Sequence, residues 1–278
     1  MLCSLTNDEL TFSLDDSGAF RSLRRGDREF LPPDRQHDLF TLRFRNATGV
    51  PVLVPSGGAA SVSRETTSDD EGTLHTLTFA AIPVSRYFPQ TVDATVTVRC
   101  RAGDANTYWR IAVDFESSAL LEYLEYVEFP GLVLNDDLVG VGGASELFWP
   151  LNEGCLVEDA GQRAEHGFGY RPMEYPSGGW NGLYPGPLQM QFMAMTNPAG
   201  SLYVAAHDPA GHMKEIEWEP VEGGIRIIYK VFTGAATGPW SMPYDMVIGA
   251  FDGDWQDAAE IYRSWSDTNL VQSATRLE

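Results

Sequence analysis

The chain has 278 residues, with 39 acidic against 19 basic side chains for a formal net charge of −20 at pH 7, and is 43% hydrophobic and 12% aromatic. That apolar content suffices for a packed core and excludes disorder as a description of the whole. The acidic balance, with no basic stripe among the aromatics, repels phosphate backbones and anionic lipid heads and excludes nucleic acid as a partner.

One dominant domain with a tail is the expected organisation, since all-β sandwiches run past about 200 residues as single domains. Only Lys214 and Lys230 among the basic residues are lysines, which points to a GC-rich genome or a salt-adapted host. Cys3, Cys100 and Cys155 are odd in number and far apart, so neither a disulfide framework nor a zinc pattern is expected. Met1 to Leu10 lacks the basic start and long apolar run of a signal peptide, and no apolar stretch approaches the ~18 residues of a membrane span. A cytoplasmic location is the expectation, although a piece cut from a secreted parent would read the same.

In chain order, Leu10 to Leu14 alternates before a turn at Asp15-Asp16-Ser17-Gly18. The same two-residue period returns in Phe40 to Phe44, Leu77 to Phe79, Val92 to Val98 and Trp109 to Phe115. Arg64 to Gly72, rich in Ser, Thr and acid, reads as a solvated hairpin tip. Leu120 to Leu134 carries Glu122, Glu125 and Glu128 at helical spacing, but Tyr126, Val127, Phe129 and the following Pro130-Gly131 favour a strand.

From Gly142 to Pro187 periodicity fades, and seven Pro, Trp and Tyr residues crowd between Pro172 and Pro187. A long irregular loop is expected there, of the kind that carries function. Leu188 to Met195 and Leu202 to Pro209 flank a turn at Asn197-Pro198-Ala199-Gly200, a central hairpin whose strands should each bury one face. Ile216 to Trp218 and Ile225 to Val231 form a second hairpin through Glu222-Gly223-Gly224, and Tyr244 to Phe251 is one more strand. The period then switches: Trp255, Ala258, Ala259, Tyr262 and Trp265 share a helix face, with Asp254 as N-cap and Asp257 in the first turn. Such a stripe must be covered, by the sandwich or by a following domain, and the latter is the expectation. The fold class is therefore all-β, a large two-sheet antiparallel supersandwich over 1–252, with a C-terminal α-helix and tail over 253–278.

Several motifs, taken together, resemble a known family. They are Phe148-Trp149-Pro150, Asn152-Glu153-Gly154, Tyr175-Pro176, Gln191-Phe192, Tyr203 to Asp208, Lys214, and Gly253-Asp254-Trp255 with Ala258, Ala259, Tyr262-Arg263 and Trp265. This set is similar to the N-terminal galactose-mutarotase-like β-supersandwich domain of bacterial glycoside hydrolases, of which the endo-α-N-acetylgalactosaminidases are the best-known relatives. The resemblance rests on motifs in the second half of the chain and on strand pattern in the first. It implies a non-catalytic domain associated with carbohydrate, whose partner is a C-terminal (β/α)8 catalytic barrel missing from this chain. The family's catalytic carboxylates lie on that barrel, so no catalytic residue, cofactor or metal is carried over.

The residues leave rivals open. His207 with Asp208 would make a general acid and its orienting carboxylate if the chain turns at Pro209, because neighbours on a straight strand point to opposite faces. Glu153 and His166 are the acid–base candidates for a free-standing aldose 1-epimerase, but the Asn-His pair of that family is absent. Trp149, Tyr175, Trp180 and Tyr184 are candidate platforms for sugar rings, or plugs of a long loop. The ligand-binding candidates are Trp149, Asn152, Glu153, His166, Tyr175, Trp180, Gln191, His207, Asp208 and Lys214. Acidic pairs such as Asp136-Asp137, Asp69-Asp70-Glu71 and Asp252 with Asp254 lack calcium-loop spacing and read as surface turns. A protein-interaction module without sugar binding is the remaining rival.

Overall fold

The computed structural model describes residues 3–7, 9–32, 37–135, 145–152, 154–158, 160 and 180–270. In chain order the strands of the first half are β1 (Cys3–Thr6), β2 (Thr11–Leu14), β3 (Phe20–Arg25), β4 (Arg28–Glu29), β5 (Thr41–Arg45), β6 (Pro51–Pro55), β7 (Ser61–Asp69), β8 (Gly72–Ser85), β9 (Phe88–Cys100), β10 (Asn106–Asp114), β11 (Tyr123–Glu128) and β12 (Leu132–Leu134). The second half adds β13 (Glu146–Trp149), β14 (Cys155–Glu158), β15 (Trp180–Tyr184), β16 (Phe192–Thr196), β17 (Ser201–His207), β18 (Lys214–Val221), β19 (Gly224–Ala236), β20 (Trp240–Ser241) and β21 (Asp245–Phe251), then the helix α1 (Trp255–Asn269).

These strands form two large antiparallel sheets and one small one, as the all-β supersandwich expectation requires. The ten-stranded sheet runs β14-β13-β16-β17-β21-β10-β9-β8-β7 with β20 beside β10, and the seven-stranded sheet runs β15-β18-β19-β11-β5-β6 with β12 beside β19. β1 to β4 make a four-stranded sheet, whose Phe12 and Phe20 pack on Trp109 of β10. The alternation seen in the sequence sorts the faces: Trp109, Ile111 and Val113 of β10, Met246 and Ile248 of β21, and Ile225, Ile227, Tyr229 and Val231 of β19 all enter the core between the large sheets. The Tyr229 hydroxyl crosses that core and donates to the Val204 carbonyl at 2.7 Å.

Four expectations are corrected. Of Arg64 to Gly72 only Asp70-Glu71 is the hairpin tip, and Arg64 to Asp69 make up most of the exposed edge strand β7, paired residue for residue with β8. The segment from Gly142 to Pro187 is not one long loop: β13, β14 and β15 lie within it, too short to show a period. The central hairpin β16–β17 buries both faces of both strands rather than one. The reason is α1, which returns onto its own sheet and covers the outer face, enclosing Phe148, Phe192, Ala194, Tyr203, Ala205 and Val247 with Ala258 and Tyr262. Its aromatic stripe is therefore met by this chain's sheet and not left for a following domain. Trp255 stacks on Phe148 at 5.7 Å, Tyr262 lies 5.1 Å from Phe192, and Trp265 stacks on His207 at 4.4 Å between ring centres.

Candidate functional site

Three of the sequence candidates meet in one buried polar cluster at the end of the central hairpin. Gln191 precedes β16, Asp208 follows β17, and Lys214 opens β18, so the hairpin and the next strand bring them together. The Lys214 ammonium is fully buried and donates to Gln191 Oε1 at 2.7 Å, Asp208 Oδ2 at 2.8 Å and the His212 carbonyl at 2.6 Å. Gln191 Nε2 donates to the Asp208 carbonyl at 3.0 Å. Asp208 also accepts the backbone N–H groups of Ala210 and His212, and the His212 ring sits 2.9 Å from its other oxygen. Burial, the largest influence on the Asp208 carboxyl, pushes its pKa up, but Lys214 and His212 together outweigh it and hold the carboxyl below its ordinary range. Burial takes the Lys214 ammonium down to about 8 against the opposing pull of Asp208. The three acceptors around Nζ make the ionised pair the state at pH 7. The rings of Tyr184 and Tyr244 flank the same ammonium at 4.7 and 4.9 Å.

His207 faces away from this cluster. It lies on the outer face of β17, where Nε2 is 3.1 Å from the Tyr203 hydroxyl and the ring lies under Trp265. Burial lowers its pKa to about 4, so the imidazole is neutral at pH 7. The chain does turn after Asp208, but that turn gives the carboxylate to His212 and Lys214, and the rival reading of a His207–Asp208 couple is not met.

A second charged surface was not singled out from the sequence. On the outer face of the seven-stranded sheet, Glu215, Glu217 and Glu219 of β18 lie in register with Lys230, Ile228 and Arg226 of β19. Lys230 Nζ bridges Glu215 at 3.0 Å and the fully buried Glu217 at 2.5 Å, and the net effect of its neighbours holds the Glu215 carboxyl below its ordinary range despite burial. Arg226 joins Glu219 at 3.0 Å and Glu128 at 2.7 Å. A bulge in β11 between Leu124 and Tyr126 brings Glu125 to Arg43 and Arg45, and Arg43 donates to the Tyr126 hydroxyl at 2.8 Å. The readable signal was the alternating Glu-x-Glu-x-Glu of 215–219 opposite Arg-x-x-x-Lys of 226–230 across a Gly-Gly turn.

No protein-family model matches the chain, and no curated protein does. Solved structures do. A galactose mutarotase-like protein from Lactobacillus casei ATCC 334 aligns over 90% of this chain and 99% of its own, at 12% identity and a TM-score of 0.52. The chain has the galactose-mutarotase-like fold. The same mutarotase-like domain aligns over 95% of its length with 38% of the α-N-acetylgalactosaminidase NagBb from Bifidobacterium bifidum in its Gal-NHAc-DNJ complex, at 13% identity and a TM-score of 0.66. It aligns over 97% of its length with 42% of an α-galactosidase from Lactobacillus brevis, at 10% identity and a TM-score of 0.55. It thus spans about two fifths of the length of these two glycosidases.

Within the mutarotase-like domain the other described candidates do not join that polar cluster. Trp149 is 1% exposed and its indole N–H donates to the Ile216 carbonyl at 3.3 Å, so it is a core residue between the sheets and offers no open face to a sugar. Asn152 is exposed in a turn, with φ of 52° and its N–H bonded to the Pro187 carbonyl. Trp180 begins β15 opposite Trp218. Glu153, His166 and Tyr175 lie outside the described residues, as do Asp136 and Asp137. Asp69 and Asp252 are engaged by Arg99 and Arg25, and among the described residues no three His, Cys, Asp or Glu side chains gather as a metal site.

Proposed function

We propose that this chain is a non-catalytic, carbohydrate-associated N-terminal domain of a glycoside hydrolase, which supports or completes a sugar site beside a C-terminal catalytic barrel. The observation that carries the reading is proportion: nearly the whole chain aligns with 38% of a glycosidase, leaving the larger part of that protein for a separate catalytic domain. The chemistry of the described residues favours it as well. Asp208 and Lys214 are saturated by one another, and His207 is neutral beneath a tryptophan. In this reading 1–252 is the domain and 253–278 the connector. α1, the described part of that connector, is docked on the sheet by its aromatic stripe. Asn152, Glu153, His166, Tyr175 and Trp180 are then the residues offered to the carbohydrate, and Gln191, Asp208 and Lys214 stiffen the end of the central hairpin.

The 99% coverage of the Lactobacillus casei protein favours a second reading, a free-standing aldose 1-epimerase-like enzyme with Glu153 and His166 as acid and base. Polarimetry on freshly dissolved α-galactose, with a panel of aryl glycosides beside it, separates the two. The expected result is mutarotation at the buffer rate and no glycoside turnover. Mutarotation well above that rate replaces the first reading with the second, and robust glycoside hydrolysis sinks the first.

A further inference from the structure

A half-open cleft of about 640 Å3 lies where α1 crosses β10, β17 and β21, a size within the range of about 300–1,000 Å3 usual for small-ligand sites. Of the described sequence candidates, His207 lines it. The outward residues of β10, Tyr108 and Arg110, meet Asp245 of β21 on its floor, the β9–β10 turn contributes Arg101 and Asp104, and Trp265 of α1 closes one side. Gly249 of β21 makes room for Asn106 at its edge: a Cβ there would stand 2.0 Å from Asn106 Oδ1 and push that side chain aside.

The polar groups are held in place. Asp104 accepts the Tyr108 hydroxyl at 2.6 Å and the Asn106 backbone N–H at 2.9 Å. Arg110 grips Asp245 through two nitrogens, at 2.5 and 3.2 Å. Arg101 lies over the Tyr108 ring, 4.1 Å from its centre. Two arginines and two aspartates cancel, and His207 at the back is neutral, so the cleft has no excess charge with which to select an anion or a cation. It offers alternating fixed donors and acceptors beside a half-buried indole. Vicinal hydroxyls match such a set, each taking one bond and giving one, and an indole accepts the C–H face of a pyranose ring.

We propose that this cleft binds a neutral sugar of one or two units, its hydroxyls bridging Asp104, Arg110 and Asp245 and its apolar face on Trp265. The ligand class rests on the carbohydrate reading above, whereas the location rests on the cleft alone.

Ligand-observed saturation-transfer NMR on the full chain with galactose, N-acetylgalactosamine, glucose and lactose, and tryptophan fluorescence titration for affinity, tests it. The expected result is saturable binding of at least one sugar, weakened tenfold or more in both Arg110→Ala and Trp265→Ala, with no competition from inorganic phosphate. Trp265→Ala also loosens α1, so Arg110→Ala decides: its side chain is half exposed, and its melting curve should match the parent's. Absence of binding to every sugar overturns the proposal while the domain reading still stands or falls on the turnover assays. Binding untouched by Arg110→Ala, or displaced by phosphate, overturns it as well.

Discussion

At His207 the folded chain holds an imidazole that resists protonation, because Tyr203 and Trp265 enclose it and burial outweighs the nearby carboxylates of Asp245 and Asp104. An ordinary histidine titrates near 6.5 and this one near 4, so between those values the unfolded chain takes up a proton that the folded chain refuses. The stability contributed by neutral burial is complete above pH 6.5 and is lost as pH falls toward 4. His75 behaves alike, lowered to about 4 by burial and then by Arg64, so two residues act in one window. Urea unfolding of the parent and of His207→Gln at pH 7 and pH 5 isolates the first of them. The parent should lose about 2 kcal/mol more than the variant over that interval. Equal losses would mean that the imidazole is solvated and that Trp265 does not cover it.

At the scale of elements, α1 shows what periodicity reveals and what it leaves open. The spacing of Trp255, Ala258, Tyr262 and Trp265 located the helix and its apolar face, and Asp254 located its start, because one side chain must accept the first free N–H groups. The structure places a capping box there: Asp254 accepts from Gln256 N, and Asp257 accepts from Asp254 N. What covers the stripe was not legible, since an amphipathic face states that it needs a partner without saying which. The same gap produced the error over the central hairpin, whose outer residues Phe192, Ala194, Tyr203 and Ala205 look like a mixed surface until a helix is laid over them. Gln191, Asp208 and Lys214 were singled out one by one, but only tertiary pairing joins residues 6 to 23 positions apart into one cluster. Because the N-cap is exposed and separate from the aromatic contacts, Asp254→Ala tests the helix end alone. It should lower stability by about 1 kcal/mol, read as a lower Tm, and leave the circular dichroism of the sheets unchanged. No shift in Tm would mean that docking of Tyr262 and Trp265 holds the first turn without its cap.

For the molecule as a whole, the excess of 39 acidic over 19 basic residues sets two electrostatic effects against each other. The ion pairs that face solvent, such as Arg25 with Asp252, Arg99 with Asp69 and Arg263 with Glu260, weaken when salt screens them, but each contributes only about 0–1 kcal/mol. The net charge of −20 repels itself over the whole surface, and folding brings those charges closer than the unfolded chain holds them. Raising ionic strength from 0.01 M to 1 M shortens the screening length from about 30 Å to about 3 Å, which removes the long-range repulsion but leaves buried contacts such as Lys214 with Asp208 nearly untouched. Repulsion among the excess carboxylates is the larger quantity, so Tm should rise over that range in differential scanning calorimetry. A neutral ligand in a charge-balanced cleft feels little of this field, so sugar affinity should change less than about twofold over the same range. A Tm that falls with salt would show that the surface ion pairs, not the excess charge, dominate the electrostatics of the fold, and an affinity that tracks salt would place a charged group on the ligand.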